Sequence, residues 1–352
     1  MNALLLAALL AACSPEVVEL TDGSECTVDD AQFESLSTQS TDMATVLDAA
    51  FKTKSAGAAG VMYEVTKSGT VRMTPIDSGG TSHDAVIFGV PEDSDIVVRA
   101  YQKDENDELI CSDPIDASTG SFPHAPLEYT TTVFDESAVA DGYTLVSAFD
   151  NAGTSYVDVI DRSGELVWSK EMEGSIFQSQ FALDGSGIRT FQPTSSITGT
   201  GYIQEIGFDG TEGQTYEVPA AHTSFTQHPH GGYLSLGWKE AMTDANGDLY
   251  ALDTLLYTDL DGSTREIWDI SQAIRQEQWD CDMTFGNEGF CDIGHSNFVS
   301  HYENPDTGEQ AAMVSIRHKH TVAKVNLPDE LSGTQAMGTL AWDVGGQTSS
   351  IA

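Results

Sequence analysis

The chain has 352 residues, with 55 Asp+Glu against 15 Lys+Arg and a formal net charge of −40. So acidic a chain repels polyanions, which excludes nucleic acid as a partner, and the charge keeps it soluble, as in proteins adapted to salt. The length suggests two domains.

Residues 1–12, MNALLLAALLAA, are an apolar run too short to span a bilayer as a helix and read as a secretory signal. Leu10-Ala11-Ala12-Cys13 has the form of a bacterial lipobox, so cleavage before Cys13 and lipidation of its thiol are expected. No Lys or Arg precedes the run, and an ordinary cleaved signal with an unrelated Cys is the alternative. Residues 13–25 are polar and acidic, suited to a flexible tether. No later run is long enough to cross a membrane, so the expected membrane contact is the lipid anchor, on the periplasmic or extracellular face of the cell envelope.

With Cys13 lipidated, Cys26, Cys111, Cys281 and Cys291 remain, and export favours pairing them. Cys26 with Cys111 would tie the start of the first domain to its last strand, and Cys281 with Cys291 would close a short loop before His295. Metal binding is the alternative, but no C-x-x-C spacing is present and no metal site is expected.

Residues 26–122 read as one small β-sandwich, in which VMYEVT (61–66), AVIFGV (85–90) and IVVRAY (96–101) are β-rich runs separated by turn residues. VPEDSDIVVRAYQ resembles the signature of fibronectin type III domains, with Ile96 in place of the usual aromatic residue. Residues 43–51 read as a short helical turn or an irregular edge, and His83 and His124 as surface residues.

From Ala125 to residue 352 a repeat appears: YVDVIDRSGELVW from Tyr156, YIQEIGFDGTEGQTYEV from Tyr202, LYTDLDGSTREIWDI from Leu256, and a last copy ending AKVNL…GTLAWDV. Each is an alternating strand, an Asp- or Asn-rich Gly turn and a second strand often closing on Trp. Asp161, Asp209, Asp259 and Asn326 recur roughly 50 to 65 residues apart, the scale of a propeller blade. Asp244-Ala245-Asn246-Gly247-Asp248 resembles the start of a calcium loop but lacks the Glu at its end, and reads as a hairpin turn. There is no nucleophile elbow, phosphate loop or dinucleotide fingerprint, so hydrolase, kinase and dehydrogenase readings lack support, and no cofactor is expected.

The stretch Asp292–Gly346 carries the most specific pattern. Arg317, His318, Lys319, His320 and Lys324 crowd together in an otherwise acidic chain, as in a site built to hold an anion. The H-S-N-F-V element at His295, the S-I-R end at Arg317, the V-A-K-V strand and the closing W-D-V-G-G resemble the bacterial arylsulfate sulfotransferases, six-bladed β-propellers that move a sulfuryl group between phenols without a nucleotide. The resemblance implies an all-β fold with a propeller from residue 125, and a phenolic sulfate donor and a phenol acceptor. It implies a catalytic set of His295, Arg317 and His222, with Asn297 and Lys319 binding substrate. Arg suits a tetrahedral oxyanion because its planar fork donates two parallel hydrogen bonds, while His can donate, accept or attack. At His222 the sequence is H-T-S-F, without the second His and the acid of the family's H-H-[DE]-F, so a base-assisting role is not carried over. His228 and His230 are assigned to an outer turn. Read as one strand, residues 317–320 place Arg317 and Lys319 on one face and His318 and His320 on the other. About four blade repeats are present and no His follows His320, so the expectation is an incomplete sulfotransferase domain without the nucleophilic His. The alternative is a non-catalytic propeller lipoprotein that binds a ligand or another protein.

Overall fold

The alternation of apolar and polar residues sets the first sheets. In the computed structural model, which describes residues 26–345 except 78, 104–107, 133, 134, 136, 137, 139, 244–248, 275–283, 286–288 and 332–335, nearly all regular structure is strand. Cys13, Cys281 and the stretch 244–248 therefore lie outside the described residues.

The first region holds β1 (Thr27–Val28), β2 (Phe33–Ser40), β3 (Leu47–Thr53), β4 (Ala59–Val65), β5 (Thr70–Met73), β6 (Ser82–Ile87), β7 (Asp95–Lys103), β8 (Leu109–Cys111) and β9 (Ile115–Ser118). They form one sheet in the order β1-β8-β7-β4-β5, with β9 also on β7, and a second in the order β2-β3-β6. In β3, Leu47, Ala49, Phe51 and Thr53 are buried and the residues between them exposed, the period of a half-buried strand. That period, and the central place of β3 in its sheet, replace the short helical turn or irregular edge expected at 43–51. Phe33, Leu47 and Phe51 of one sheet meet Tyr63, Ile96 and Val98 of the other in a common core. The expected Cys26–Cys111 disulfide is present, with Cα atoms 5.9 Å apart. His83 is not a surface residue: it is 2% exposed, stacks on Phe51, and has Nδ1 3.0 Å from Asp77 and Nε2 3.2 Å from Thr53 Oγ1.

Four further sheets follow in chain order, antiparallel except for one parallel pairing in the third. β10 (Tyr143–Phe149), β11 (Ser155–Asp161) and β12 (Leu166–Met172) form the first, and β13 (Gln178–Phe181), β14 (Gly187–Gln192), β15 (Thr200–Gly207) and β16 (Glu212–Pro219) the second. The third contains β17 (Ala221–Gln227), β18 (Tyr233–Thr243), β19 (Leu249–Thr258), β20 (Thr264–Asp269), β21 (Thr284–Phe285) and β22 (Phe290–Asp292). The fourth is β23 (Ser296–Glu303), β24 (Gln310–Ile316), β25 (Thr321–Asn326) and β26 (Thr339–Gly345).

The sequence repeat maps onto these sheets. Three of its turns close in the same way, with Gly164, Gly210 and Gly262 at φ near +90° (90, 88 and 86°) and each amide bonded to the carbonyl three residues earlier. Only Gly takes this left-handed conformation without strain, which is why the turns carry it. Asn326 ends β25 instead of opening such a turn. Trp168 and Trp268, on the last long strand of their repeats, are fully buried.

The chain divides into two compact units. One contains the chain up to Glu173 with Phe181–Ile188 and Ile206–Gly213; the other contains Gly174–Gln180, Arg189–Glu205 and the chain from Gln214. The candidate site lies entirely in the second unit.

Candidate functional site

The third sheet places two buried acids side by side. β19 pairs antiparallel with β20 through residues 254–258 and parallel with the short β22 through Tyr250 and Ala251, the latter opposite Asp292. Asp253 therefore lies two residues along β19 from the end of β22, on a strand whose neighbours are almost all apolar. Asp253 is 0% exposed and Asp292 1%. A carboxylate in such surroundings needs donors, and each acid has found a histidine.

Asp292 closes a tight turn. Its Oδ1 accepts from the His295 amide at 2.9 Å and its Oδ2 lies 2.8 Å from His295 Nδ1. Burial works to raise the Asp292 pKa, but the His295 hydrogen bond and the charge of His222 outweigh it, and the carboxyl stays below its ordinary range. His295 has φ +47°, a left-handed conformation that costs a non-glycine residue about 1 kcal/mol or more and that the Asp292 bonds hold in place. Its ring stacks on that of His318, with centroids 4.9 Å apart, and His318 Nδ1 is 3.0 Å from the Asp292 carbonyl.

Asp253 binds the neighbouring strand. Its Oδ2 accepts from both the amide and the hydroxyl of Ser296, at 3.0 and 2.8 Å. Its Oδ1 is 3.0 Å from Nε2 of His222, off the axis of a hydrogen bond, so this contact is an ion pair by distance only. His222, 2% exposed, is the second residue of β17 and lies flat against Trp238 of β18, with ring centroids 4.2 Å apart and planes inclined by 13°. Its Nδ1 is 3.1 Å from Thr223 Oγ1, which donates to the Ser296 carbonyl at 2.8 Å. Thr223 is also left-handed, at φ +57°, unusual for a β-branched residue. Ser296, the residue after His295, thus joins the His222 strand to the Asp292–His295 turn. Gly294 permits the approach: a Cβ there would lie 2.1 Å from Asp253 Oδ2 and 2.2 Å from Ile270.

Residues 317–320 do not alternate faces. They form the hairpin turn between β24 and β25, with the His320 amide bonded to the Arg317 carbonyl at 3.0 Å and His320 at φ +50°. Face alternation holds only for extended backbone, so His318, which sequence alternation separated from Arg317 and Lys319, turns back onto His295. Arg317 is exposed, and its amide donates to the His295 carbonyl at 3.3 Å. Lys319 is half-buried and its carbonyl accepts from Thr321 Oγ1. Asn297 is exposed on β23, immediately after Ser296.

His228 and His230 lie in the β17–β18 turn as expected, yet His228 is only 7% exposed and packs edge-on against His301, with centroids 4.8 Å apart. Burial, and then the proximity of His301 and His230, push its pKa down to about 4.

The sequence pattern points to His222, His295 and Arg317 and does not point to Asp253, Asp292, Ser296, Trp238 or the His318 stack, which the structure sets around the two histidines. Two signals were there: the lone acid in the apolar run LYALDTLLYT, and the D-I-G-H spacing that lets a carboxylate cap the turn in front of a histidine.

The protein is all-β, and its two carboxylate–histidine contacts adjoin the hairpin of residues 317–320. Residues 130–348 match the arylsulfotransferase (ASST) family, more than half of the chain, and the protein belongs to that family. Its substrate class is accordingly the phenolic donor and acceptor of sulfuryl transfer in general. No curated protein matches the chain.

Proposed function

We propose that this protein is an exported, lipid-anchored aryl sulfotransferase that moves a sulfuryl group from a phenolic sulfate ester to an acceptor phenol without a nucleotide. The joining of His222 to the His295 turn through Ser296 supports the reading, because it ties β17 to the turn whose His295 carbonyl accepts from the Arg317 amide. In the first half-reaction a histidine nitrogen attacks sulfur, supplied by His295 or His320 because no His follows His320 in this sequence; an N–S bond forms, the S–O bond to the donor phenol breaks, and the phenol departs with a proton from the medium. In the second, the acceptor oxygen attacks sulfur, the N–S bond breaks, and the acceptor's proton passes to the medium. Arg317 and His222 offset the charge spread over the sulfuryl oxygens, with Lys319 and Asn297 alongside. The sheets of the 125–352 region are read as propeller blades and residues 26–122 as the fibronectin type III-like sandwich.

The test is release of phenol from a chromogenic aryl sulfate by the purified chain, with and without an acceptor phenol, together with calorimetry using inorganic sulfate. Acceptor-dependent release, reduced at least tenfold in Arg317→Lys, which keeps the charge but loses the fork, supports the reading. Sulfate binding without release identifies a non-catalytic ligand-binding protein instead, and absence of both overturns the reading.

A further inference from the structure

The hydrogen bonds around His222 define where its protons lie. Thr223 Oγ1 has one proton, and it is directed at the Ser296 carbonyl, which can only accept. Toward His222 the same hydroxyl therefore presents a lone pair, and Nδ1, at 3.1 Å, must carry a proton. On the other side Nε2 is 3.0 Å from Asp253 Oδ1. A nitrogen lone pair would repel a carboxylate oxygen at that distance, whereas an N–H would attract it. Asp253 Oδ2 accepts both donors of Ser296, and Oδ1 has no aligned hydrogen-bond donor among the described residues. A fully buried carboxylate is tolerated when a cation compensates it, and His222 is the group at hand.

We infer that Asp253 is a positioning residue that keeps His222 doubly protonated, a fixed imidazolium that binds sulfuryl oxygens by charge and is unable to serve as base or nucleophile. This deepens the sulfotransferase reading and rests on it for its catalytic consequence. The charged and titratable groups acting on His222 are Asp253 from β19 and Asp292 from the end of β22, whose carboxyl responds to the His222 charge. Asp292 also faces His295, whose Nδ1 lies 2.8 Å from its Oδ2. His222 thus meets a hydroxyl acceptor at Nδ1 and a carboxylate oxygen, by charge rather than by an aligned hydrogen bond, at Nε2. Trp238, flat against His222, adds an aromatic face that favours a cation.

The experiment is nitrogen-15 spectroscopy of histidine-labelled full chain at neutral pH, with the His222 signals assigned by their loss in His222→Gln. Two protonated-type ring nitrogens are expected for His222, and one protonated and one pyridine-type nitrogen overturn the inference, whether or not the enzyme turns over. Asp253→Asn retains an oxygen for Ser296 but not the charge. It should convert His222 to a neutral ring and cut kcat for aryl sulfate at pH 7.5 at least tenfold, with recovery as pH falls. A loss independent of pH would mark Asp253 as merely structural and overturn its positioning role. Should Asp253→Asn not fold, Thr223→Ala, which removes the Nδ1 acceptor, replaces it, and the wild-type spectrum decides the protonation state by itself. An imidazolium signature in a chain that neither binds sulfate nor transfers it leaves this inference standing and removes the sulfotransferase reading.

Discussion

The histidines of this protein are distinguished by what surrounds each ring. Asp292 has a folded-state pKa below its ordinary 3.8, because the His295 bond and the His222 charge overcome burial. Its contribution to stability is therefore present above about pH 4 and disappears as pH falls through the folded value. Urea denaturation from pH 3 to 7 should show this loss in the wild type and a flatter curve in Asp292→Asn. His228 loses stability in the same direction, because the fold disfavours its charged form. Its pKa falls from 6.5 to about 4 in the fold, so the unfolded chain takes up the proton first and stability declines as pH drops from 6.5 toward 4. His228→Asn should remove that slope while leaving the lower-pH transition of Asp292 in place. Gly294 is a third residue under constraint. Gly294→Ala would force Asp253 or Ile270 aside, costing about 1–3 kcal/mol by overpacking, and should lower transfer activity more than chemical-denaturation midpoints alone would suggest.

Strands and turns respond to a different constraint, the pairing of elements distant in sequence. Arg72 on β5 and Asp161 at the end of β11 form a 3.0 Å ion pair with both side chains 7% exposed. Asp161 also receives Ser163 and the Glu165 amide on its other oxygen, so it is a turn-former and an ion-pair partner at once. Arg72→Ala leaves a buried carboxylate without its cation and should cost about 3–5 kcal/mol, whereas replacing both residues by apolar side chains should cost much less. Equilibrium unfolding of the single and double variants measures the difference. A similar loss in both would mean that packing around Arg72, rather than charge, stabilises the contact.

Across the whole chain, charge and covalent linkage set the conditions for folding. The disulfide between Cys26 and Cys111 spans 85 residues, and a loop of that size stabilises by about 4 kcal/mol in the chain-entropy model. Reduction should lower the thermal midpoint of the unit that contains it, as followed by calorimetry with and without reductant. The net charge of −40 adds self-repulsion that salt screens, so added salt should raise thermal midpoints throughout.

The sequence by itself determined the all-β class, most turns of the repeat, the Cys26–Cys111 pair and the family. These are written in short-range signals: period-two alternation, glycines that accept left-handed backbone, and motif spacing. It misplaced residues 43–51 and His83, and separated His318 from Arg317, because local rules cannot say which strand continues or where a chain reverses. Tertiary structure alone decided that Asp253 meets His222 and Ser296. That contact depends on the parallel register between β19 and β22, whose paired residues are about 40 positions apart in sequence. No local pattern encodes such a register. It is set by which apolar faces pack, and the buried acids are then stabilised by whatever donors the packing brings within reach.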